Sequence, residues 1–378
     1  MLQPLSHHLQ KMVALEASDV FVSSGLPVSA KVNGELTPLD DHVLSDDESL
    51  TLVESAMTDK QINEFHNSKE CNFAIATEEG RFRVSAFWQR DQAGMVIRRI
   101  NTVIPNAEDL GLPSVLTDVI MKKRGLVLFV GGTGTGKSTS MAALLGYRNR
   151  NQKGHILTIE DPIEFVHEHN KSIITQREVG LDTESFEAAL KSSLRQAPDV
   201  ILIGEIRSQE TMEYALSFAE TGHLCVATLH ANNANQAIDR IMHLVPKEKH
   251  EKLKYDLALN LHAIIAQQLV PTADGEGRVA AIEVLLNSPM VAELIKKGEI
   301  GSIKEVMAKS TQIGMQTFDQ ALFNHYQDKR ISYADALHHA DSPNDLRLMI
   351  KLRNNDQQGA GFLQGVTVDG LSSDDDKF

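Results

Sequence analysis

Cysteine is nearly absent from this 378-residue chain: Cys71 and Cys225 are the only two. That count excludes a disulfide framework and a four-cysteine zinc module, and a reducing compartment is the simpler expectation. No apolar run approaches the roughly 18 residues that cross a bilayer. The opening stretch MLQPLSHHLQKMVALEASDV has no basic start followed by an apolar segment, so no signal peptide is expected. Positive charge is also in short supply, with 37 Lys and Arg against 51 Asp and Glu and a net charge of -14. That balance argues against general binding to nucleic acid or to an anionic membrane, although a local basic patch is compatible with it. Internal repeats and long low-complexity tracts are missing as well. The remaining composition, 42% hydrophobic and 23% charged, is that of a soluble globular chain long enough for two domains.

Residues 1–100 read as a small α+β unit. SDVFVSSGLPVSAKVNGELTPL has short apolar runs broken at Gly25-Leu26-Pro27 and at Asn33-Gly34, the second a hairpin signal. A helix is expected from Ser45, where acidic residues fill the first turn. NFAIATEEGRFRVSAFWQRDQAGMVIRRI reads as three strands parted at Glu79-Gly80 and at Asp91–Gly94, and it is dense in arginine: Arg81, Arg83, Arg90, Arg98 and Arg99. Residues 101–118, with two prolines and a glycine, read as an interdomain linker. Beyond it the strand-like runs GLVLFVG, HILTIED, DVILIGE and HLCVATLH alternate with helical segments, the sequence form of a parallel α/β sheet. Helical patterns dominate from Ala234 to about Leu352, and the Gly-, Ser- and Asp-rich tail from Asp356 is expected to be disordered.

The chemistry concentrates after the first of those strands. Gly131, Gly132, Thr133, Gly134, Thr135, Gly136, Lys137 and Ser138 match the phosphate-binding pattern G-x-x-x-x-G-K-[ST] in full. Glycines allow a tight turn whose N–H groups face phosphate oxygens, and the following helix adds its positive end. Lys137 would reach the β- and γ-phosphates, and the Ser138 hydroxyl would ligate magnesium. DVILIGEIR then places Glu205 at a strand end, where a carboxylate can hold magnesium's water shell or orient the attacking water. TIEDPIEF places Glu160, Asp161 and Glu164 after another strand; solvated loop carboxylates are the competing reading for each. His223 and His230 flank the strand of HLCVATLH. Zinc held by them with Cys225 lacks a fourth ligand, and on a strand 223 and 225 share a face that 230 does not. A histidine beside the γ-phosphate is the preferred reading for His230, and a packed histidine is the alternative for His223.

Taken together, GGTGTGKSTS, ILTIEDPIEF, TQREVG, DVILIGEIR and ETGHLCVATLHANNA resemble the Walker A, Asp-box, Walker B and His-box blocks of the secretion and type IV pilus ATPases, in order and spacing, over roughly residues 1–345. The chain is most similar to the PilT/PilU retraction branch, and to PilU in particular. The longer N-terminal region and the four-cysteine zinc module usual in extension and secretion members are not expected here. GMQTFDQ at 314–320 fits the branch, whereas the AIRNL block usual in PilT-type members is missing, and YRNRN and the acidic tail point to the PilU side.

The resemblance implies a fold, a cofactor set and partners. The fold would be a PAS-like α+β N-terminal domain (1–100), a hinge (101–118), a RecA-like P-loop ATPase domain with C-terminal helices (119–355) and an acidic tail (356–378). Gly131–Ser138 would hold the phosphates of ATP with Mg2+, Thr139 lying toward the base. Glu164 would activate water, Glu205 would sit near magnesium and His230 near the γ-phosphate. Arg81, Arg83, Arg90 or Arg98 would serve as trans-acting fingers, with arginines solvating a strand face as the competing reading. The implied assembly is a homo-hexameric motor beside a PilT-type ATPase, acting on an inner-membrane platform protein from the cytoplasmic side, with no direct contact to nucleic acid and no membrane insertion. A nucleotide-gated accessory ring with little turnover of its own is the alternative.

Overall fold

A computed structural model describes residues 3–32, 34–100 and 103–363 of the chain. They fall into two compact units. One holds the residues up to Asn106 with Met141–Gly204, and the other holds Ala107–Ser140 with the residues from Glu205 onward.

The chain opens with helix α1 (Gln3–Ala14) and strands β1 (Asp19–Ser23), β2 (Pro27–Val32) and β3 (Glu35–Val43). Helices α2 (Asp46–Ser55) and α3 (Asp59–Ser68) and strands β4 (Glu70–Thr77), β5 (Gly80–Gln89) and β6 (Gln92–Ile100) follow. The six strands form an antiparallel sheet in the order β3-β2-β1-β6-β5-β4. Alternation makes the sheet two-faced: Phe82, Val84, Met95 and Ile97 lie fully buried in one core that also holds Leu5, Leu9 and Met12 of α1, while the residues between them point the other way. The acidic start expected at Ser45 is a capping box: Ser45 accepts from the Glu48 N–H and Glu48 accepts from the Ser45 N–H. Thr58 and Gln61 repeat the device on α3. The β2–β3 hairpin forms where the turn signal places it, although Asn33 itself lies outside the described residues. The β5–β6 turn falls at Arg90–Asp91, earlier than the expected Asp91–Gly94. Gln89 pairs with Gln92, which leaves two loop residues at φ 48° and 59°, the backbone of a type I′ turn. Gly94 is thereby inside β6.

Further on come α4 (Val115–Ile120), β7 (Gly125–Val130), α5 (Lys137–Asn151), β8 (Gly154–Glu160), β9 (Ser172–Glu178), α6 (Phe186–Ser193) and β10 (Val200–Ile203). Helix α4 begins inside the proline-bearing stretch 101–118. In the first unit β10, β8 and β9 run parallel in that order. Strand β9, an edge strand carrying TQRE, is not marked by any apolar run and was not expected. The last stretch carries α7 (Gln209–Glu220), β11 (Leu224–Leu229), α8 (Ala234–His243), α9 (His250–Asn260), β12 (Leu261–Pro271), β13 (Arg278–Leu286), α10 (Pro289–Lys297), α11 (Ile303–Lys309), α12 (Phe318–Gln327), α13 (Tyr333–His339) and α14 (Pro343–Leu363). In the second unit the strand order is β13-β12-β7-β11, with β7 parallel to both neighbours and β13 antiparallel to β12.

Helices dominate 234–352 as expected, but strands β12 and β13 interrupt them and were not anticipated. LHAIIAQQLV and VAAIEVLL are continuous apolar runs, and a fully buried strand has no period that separates it from a buried helix. Helix α14 runs into the stretch whose composition suggested a disordered tail; residues 364–378 of that tail lie outside the described residues. GMQTFDQ opens α12. Thr317 and Gln320 form its capping box, Gln316 exchanges backbone hydrogen bonds with Val284 of β13, and buried Asp319 accepts from the Asp341 and Ser342 N–H groups. No helix among the described residues is long and apolar enough to cross a membrane.

Candidate active site

Strand β7 is buried at all six positions, as a central parallel strand must be, and it delivers the chain into the glycine loop. Two of the glycines are obligatory. A Cβ on Gly131 would lie 2.6 Å from the Gln267 carbonyl and from Thr135 Oγ1, and one on Gly136, at φ 84°, would lie 2.7 Å from Gln267 Nε2. Thr135 Oγ1 donates to the Gly132 carbonyl at 3.0 Å, and Lys137 Nζ donates to the Gly131 and Gly132 carbonyls at 2.9 and 2.6 Å. The ammonium thus lies across the loop at the N-terminal end of α5. Positive charge and the N-terminal end of a helix meet there, an arrangement complementary to phosphate. Thr133, Gly134, Ser138 and Thr139 line the same turn, none of them buried.

Gln267 of β12 was not singled out from sequence. It is 3% exposed, and its Oε1 accepts from Ser140 Oγ on α5 at 2.8 Å while its backbone and amide bracket Gly131 and Gly136. The available signal was a glutamine pair interrupting an apolar run, because a buried amide needs partners.

Glu205 and His230 meet in the same unit. The Ile206 N–H donates to the Thr228 carbonyl at 2.9 Å, which ties the Glu205 segment to the end of β11 just before His230. His230 Nε2 lies 3.2 Å from Glu205 Oε1. Arg207, also not singled out, closes on the other oxygen, with Nε at 2.7 Å and Nη2 at 2.6 Å from Oε2. The Glu205 carboxylate is thereby held at both oxygens with 17% of the side chain exposed. His223 sits at the other end of β11. Its ring is packed edge-on to Phe218, with Nδ1 3.1 Å from Thr221 Oγ1, and Cys225 is fully buried.

The remaining acidic cluster belongs to the first unit. Glu160 ends β8 half-buried, receiving Thr158 Oγ1 at 2.6 Å and Gln176 Nε2 at 3.3 Å. Desolvation raises its carboxyl to about 7 against the pull of those two donors, and the nearby Glu164 charge adds to the rise. Glu164 itself is exposed on the loop beyond, as is Asp161. Because the folded pKa lies above the unfolded one, Glu160 contributes stability below about pH 4.5 that is lost as pH rises through 7, at most about 3 kcal/mol. Glu160→Gln is therefore expected to flatten the fall of melting temperature between pH 5 and pH 8. An identical slope in variant and parent would remove Glu160 as its source.

The arginines separate by position. Arg81 and Arg83 of β5 and Arg98 of β6 share the sheet face opposite the core, whereas Arg90 occupies the hairpin turn, on the order of 20 Å along the strand from Arg83. Arg98 Nε donates to Asp19 Oδ1 at 2.8 Å, and Arg81 Nη2 lies 3.9 Å from Glu178 Oε2. Arg83 stands directly across from Arg98, and no ion pair among the described residues involves it. Arg99 lies opposite Phe82.

The model of the Type II/IV secretion system protein family matches residues 2–315. The chain is 58% identical over 372 residues to the type IV pilus ATPase PilU of Pseudomonas aeruginosa, covering 97% of each. It is 41% identical over 307 residues to the type IV pilus retraction ATPase PilT of the same organism, covering 81% of this chain and 89% of that one. The crystal structure of the pilus retraction motor PilT with bound ADP aligns at a TM-score of 0.85 and 36% identity, over 90% of this chain and 98% of that one. The α+β N-terminal part, RecA-like ATPase fold and C-terminal helices expected from sequence are those of this relative. A complete phosphate loop, a carboxylate held by His230 and Arg207, and this likeness along nearly the whole length agree: the chain belongs to the Type II/IV secretion system protein family, on its PilT/PilU branch, and is an ATPase.

Proposed function

We propose that the chain is an ATP-driven motor of type IV pilus retraction, acting as a homo-hexamer beside a PilT-type ATPase on an inner-membrane platform protein from the cytoplasmic side. The observation that carries the ATPase chemistry is Lys137 lying across the loop carbonyls in the unit that also holds Glu205, His230 and Arg207. The pilus connection is carried by the likeness to PilU and PilT.

ATP enters with its phosphates on the Gly131–Ser138 N–H groups, and Lys137 turns from the carbonyls to the β- and γ-oxygens. The Ser138 hydroxyl and the Glu205 carboxylate are hard oxygen donors that suit Mg2+, Glu205 acting through water. When bound, that ion would neutralise charge between the β- and γ-phosphates. Glu164 takes a proton from the attacking water as its oxygen bonds to the γ-phosphorus and the bond to the β-bridging oxygen breaks. His230, tethered to Glu205, stands beside the departing phosphate. Arg83 and Arg98 reach the phosphates of a neighbouring subunit. Residues 1–100 form the PAS-like domain, 101–118 the hinge and 119–355 the ATPase domain, so that phosphate capture and release close and open the domains in sequence around the ring.

ATP turnover and mass in solution, measured together on the purified chain, test this reading. Turnover by a species of six chains is the expected result. Turnover by a monomer would overturn the motor, and ATP bound by a hexamer without turnover would replace it with the nucleotide-gated accessory ring.

A further inference from the structure

The loop that carries Glu164 is fastened in an unusual way. It runs from β8 to β9, and side chains of β9 grip its backbone. Gln176 Nε2 donates to the Phe165 carbonyl at 2.8 Å and Gln176 Oε1 accepts from the His167 N–H at 2.8 Å. Glu178 Oε2 accepts from the Ile163 N–H at 3.1 Å. Gln176 and Glu178 alternate on one face of β9, so they grip residues 163, 165 and 167, and Glu164 between them is left facing solvent.

An amide suffices for such a grip, as Gln176 demonstrates. Glu178 instead places a carboxylate at 5% exposure, where an ionised group costs several kcal/mol unless a cation answers it. The cation is Arg81, whose Nη2 lies 3.9 Å from the same Oε2 that holds the Ile163 N–H. Arg81 is fixed on β5 between the core residue Phe82 and the hairpin turn at Gly80, and its side chain is 30% exposed. Among the described residues its buried Nε has no hydrogen-bond partner, so Glu178 does not exhaust the guanidinium. One oxygen is therefore shared between the N-terminal sheet and the loop that presents Glu164.

We propose that Glu178 is a positioning residue for Glu164, and that Arg81 acts on turnover through Glu178 rather than as a phosphate-contacting finger. Where β5 holds Arg81 close, the Glu178 side chain is anchored and the Ile163 N–H is fixed. Where Arg81 withdraws, the carboxylate loses its counter-charge and the Glu164 loop loosens. This rests on the reading of Glu164 as the group that receives water's proton, and it replaces the expectation that Arg81 itself reaches a neighbour's nucleotide.

Two measurements on the full chain test it. The first is a double-mutant comparison of kcat, KM and nucleotide Kd for Glu178→Gln, Arg81→Ala and the combined variant. Glu178→Gln keeps an acceptor for the Ile163 N–H and loses the charge. Each single change is expected to lower kcat about 10–100-fold through misplacement of Glu164, with nucleotide Kd little changed. The pair is expected to be no worse than the worse single variant, because one path is cut twice. Losses that multiply, or a parent-like kcat in Glu178→Gln, would overturn the proposal. The second is hydrogen exchange of the 161–167 segment in Arg81→Ala, which requires neither folding of the Glu178 variant nor turnover. Faster exchange there, with the phosphate loop unchanged, supports the link, and parent-like exchange at 161–167 overturns it. If the parent chain binds ATP without hydrolysing it, the motor reading fails while the exchange result still decides the link.

Discussion

Lys137→Ala is expected to lower ATP turnover about 100- to 1,000-fold, the loss typical of removing one preorganised charge from a phosphoryl-transfer site. The thermal midpoint is expected to change little. The ammonium bonds to two loop carbonyls, of which Gly132 is exposed, and a hydrogen bond of that kind contributes only about 0.5–1.5 kcal/mol net. The effect on chemistry is large for a different reason. On the proposed function the same three donors would face the β- and γ-oxygens at a helix N-terminus, and no other lysine or arginine lies in the loop sequence to replace them. Lys137→Arg is a poor rescue, since a bulky planar fork does not occupy the place of a compact ammonium. Turnover of Lys137→Ala within tenfold of the parent would mean that hydrolysis does not pass through this loop.

The legible parts of the molecule are the local ones. Gly131–Ser138, Glu205 and His230 sit in short contiguous patterns that residue type and spacing single out, and the structure brings Glu205 to His230 as a pair. The capping box at Ser45 and the β2–β3 hairpin are equally local and equally readable. Gln267, Arg207, Gln176 and Glu178 were not legible, because their roles come from pairings between distant segments. Gln267 meets Ser140 across 127 positions only because β12 lies beside β7, and β12 itself was hidden in an apolar run without a period. Arg81 illustrates the same limit from the other side. Its density among arginines suggested an outward role, and only the fold reveals a buried carboxylate beside it. Asp319 was legible as part of a family block, but its service to the Asp341 and Ser342 N–H groups is a tertiary fact.

In the N-terminal sheet the largest expected effect is that of Arg83. Across the outer face the register sets Lys31, Asp19, Arg98 and Arg83 side by side on β2, β1, β6 and β5. Asp19 answers Arg98 at 2.8 Å, which leaves like charges directly opposite each other at Arg98 and Arg83, an arrangement that disfavours the sheet unless an anion faces it. A phosphate from a neighbouring subunit is such an anion. Arg83→Ala is then expected to lower turnover by about a thousandfold or more, within the range known for arginine fingers, while relieving repulsion and preserving the fold. Arg98→Ala is the less clean variant, because it also strands Asp19, which is 6% exposed. Mixing separates the trans role from a cis one. Arg83→Ala subunits keep an intact phosphate loop, and Lys137→Ala subunits keep an intact Arg83, so a ring with a head-to-tail interface pairs a working loop with a working arginine wherever the two meet. Turnover that returns when two inactive preparations are unfolded, mixed and reassembled places Arg83 across the subunit boundary. Mixtures that stay as inactive as their parents confine its action to its own chain, and the closure of one subunit on its neighbour's nucleotide would then need another cation.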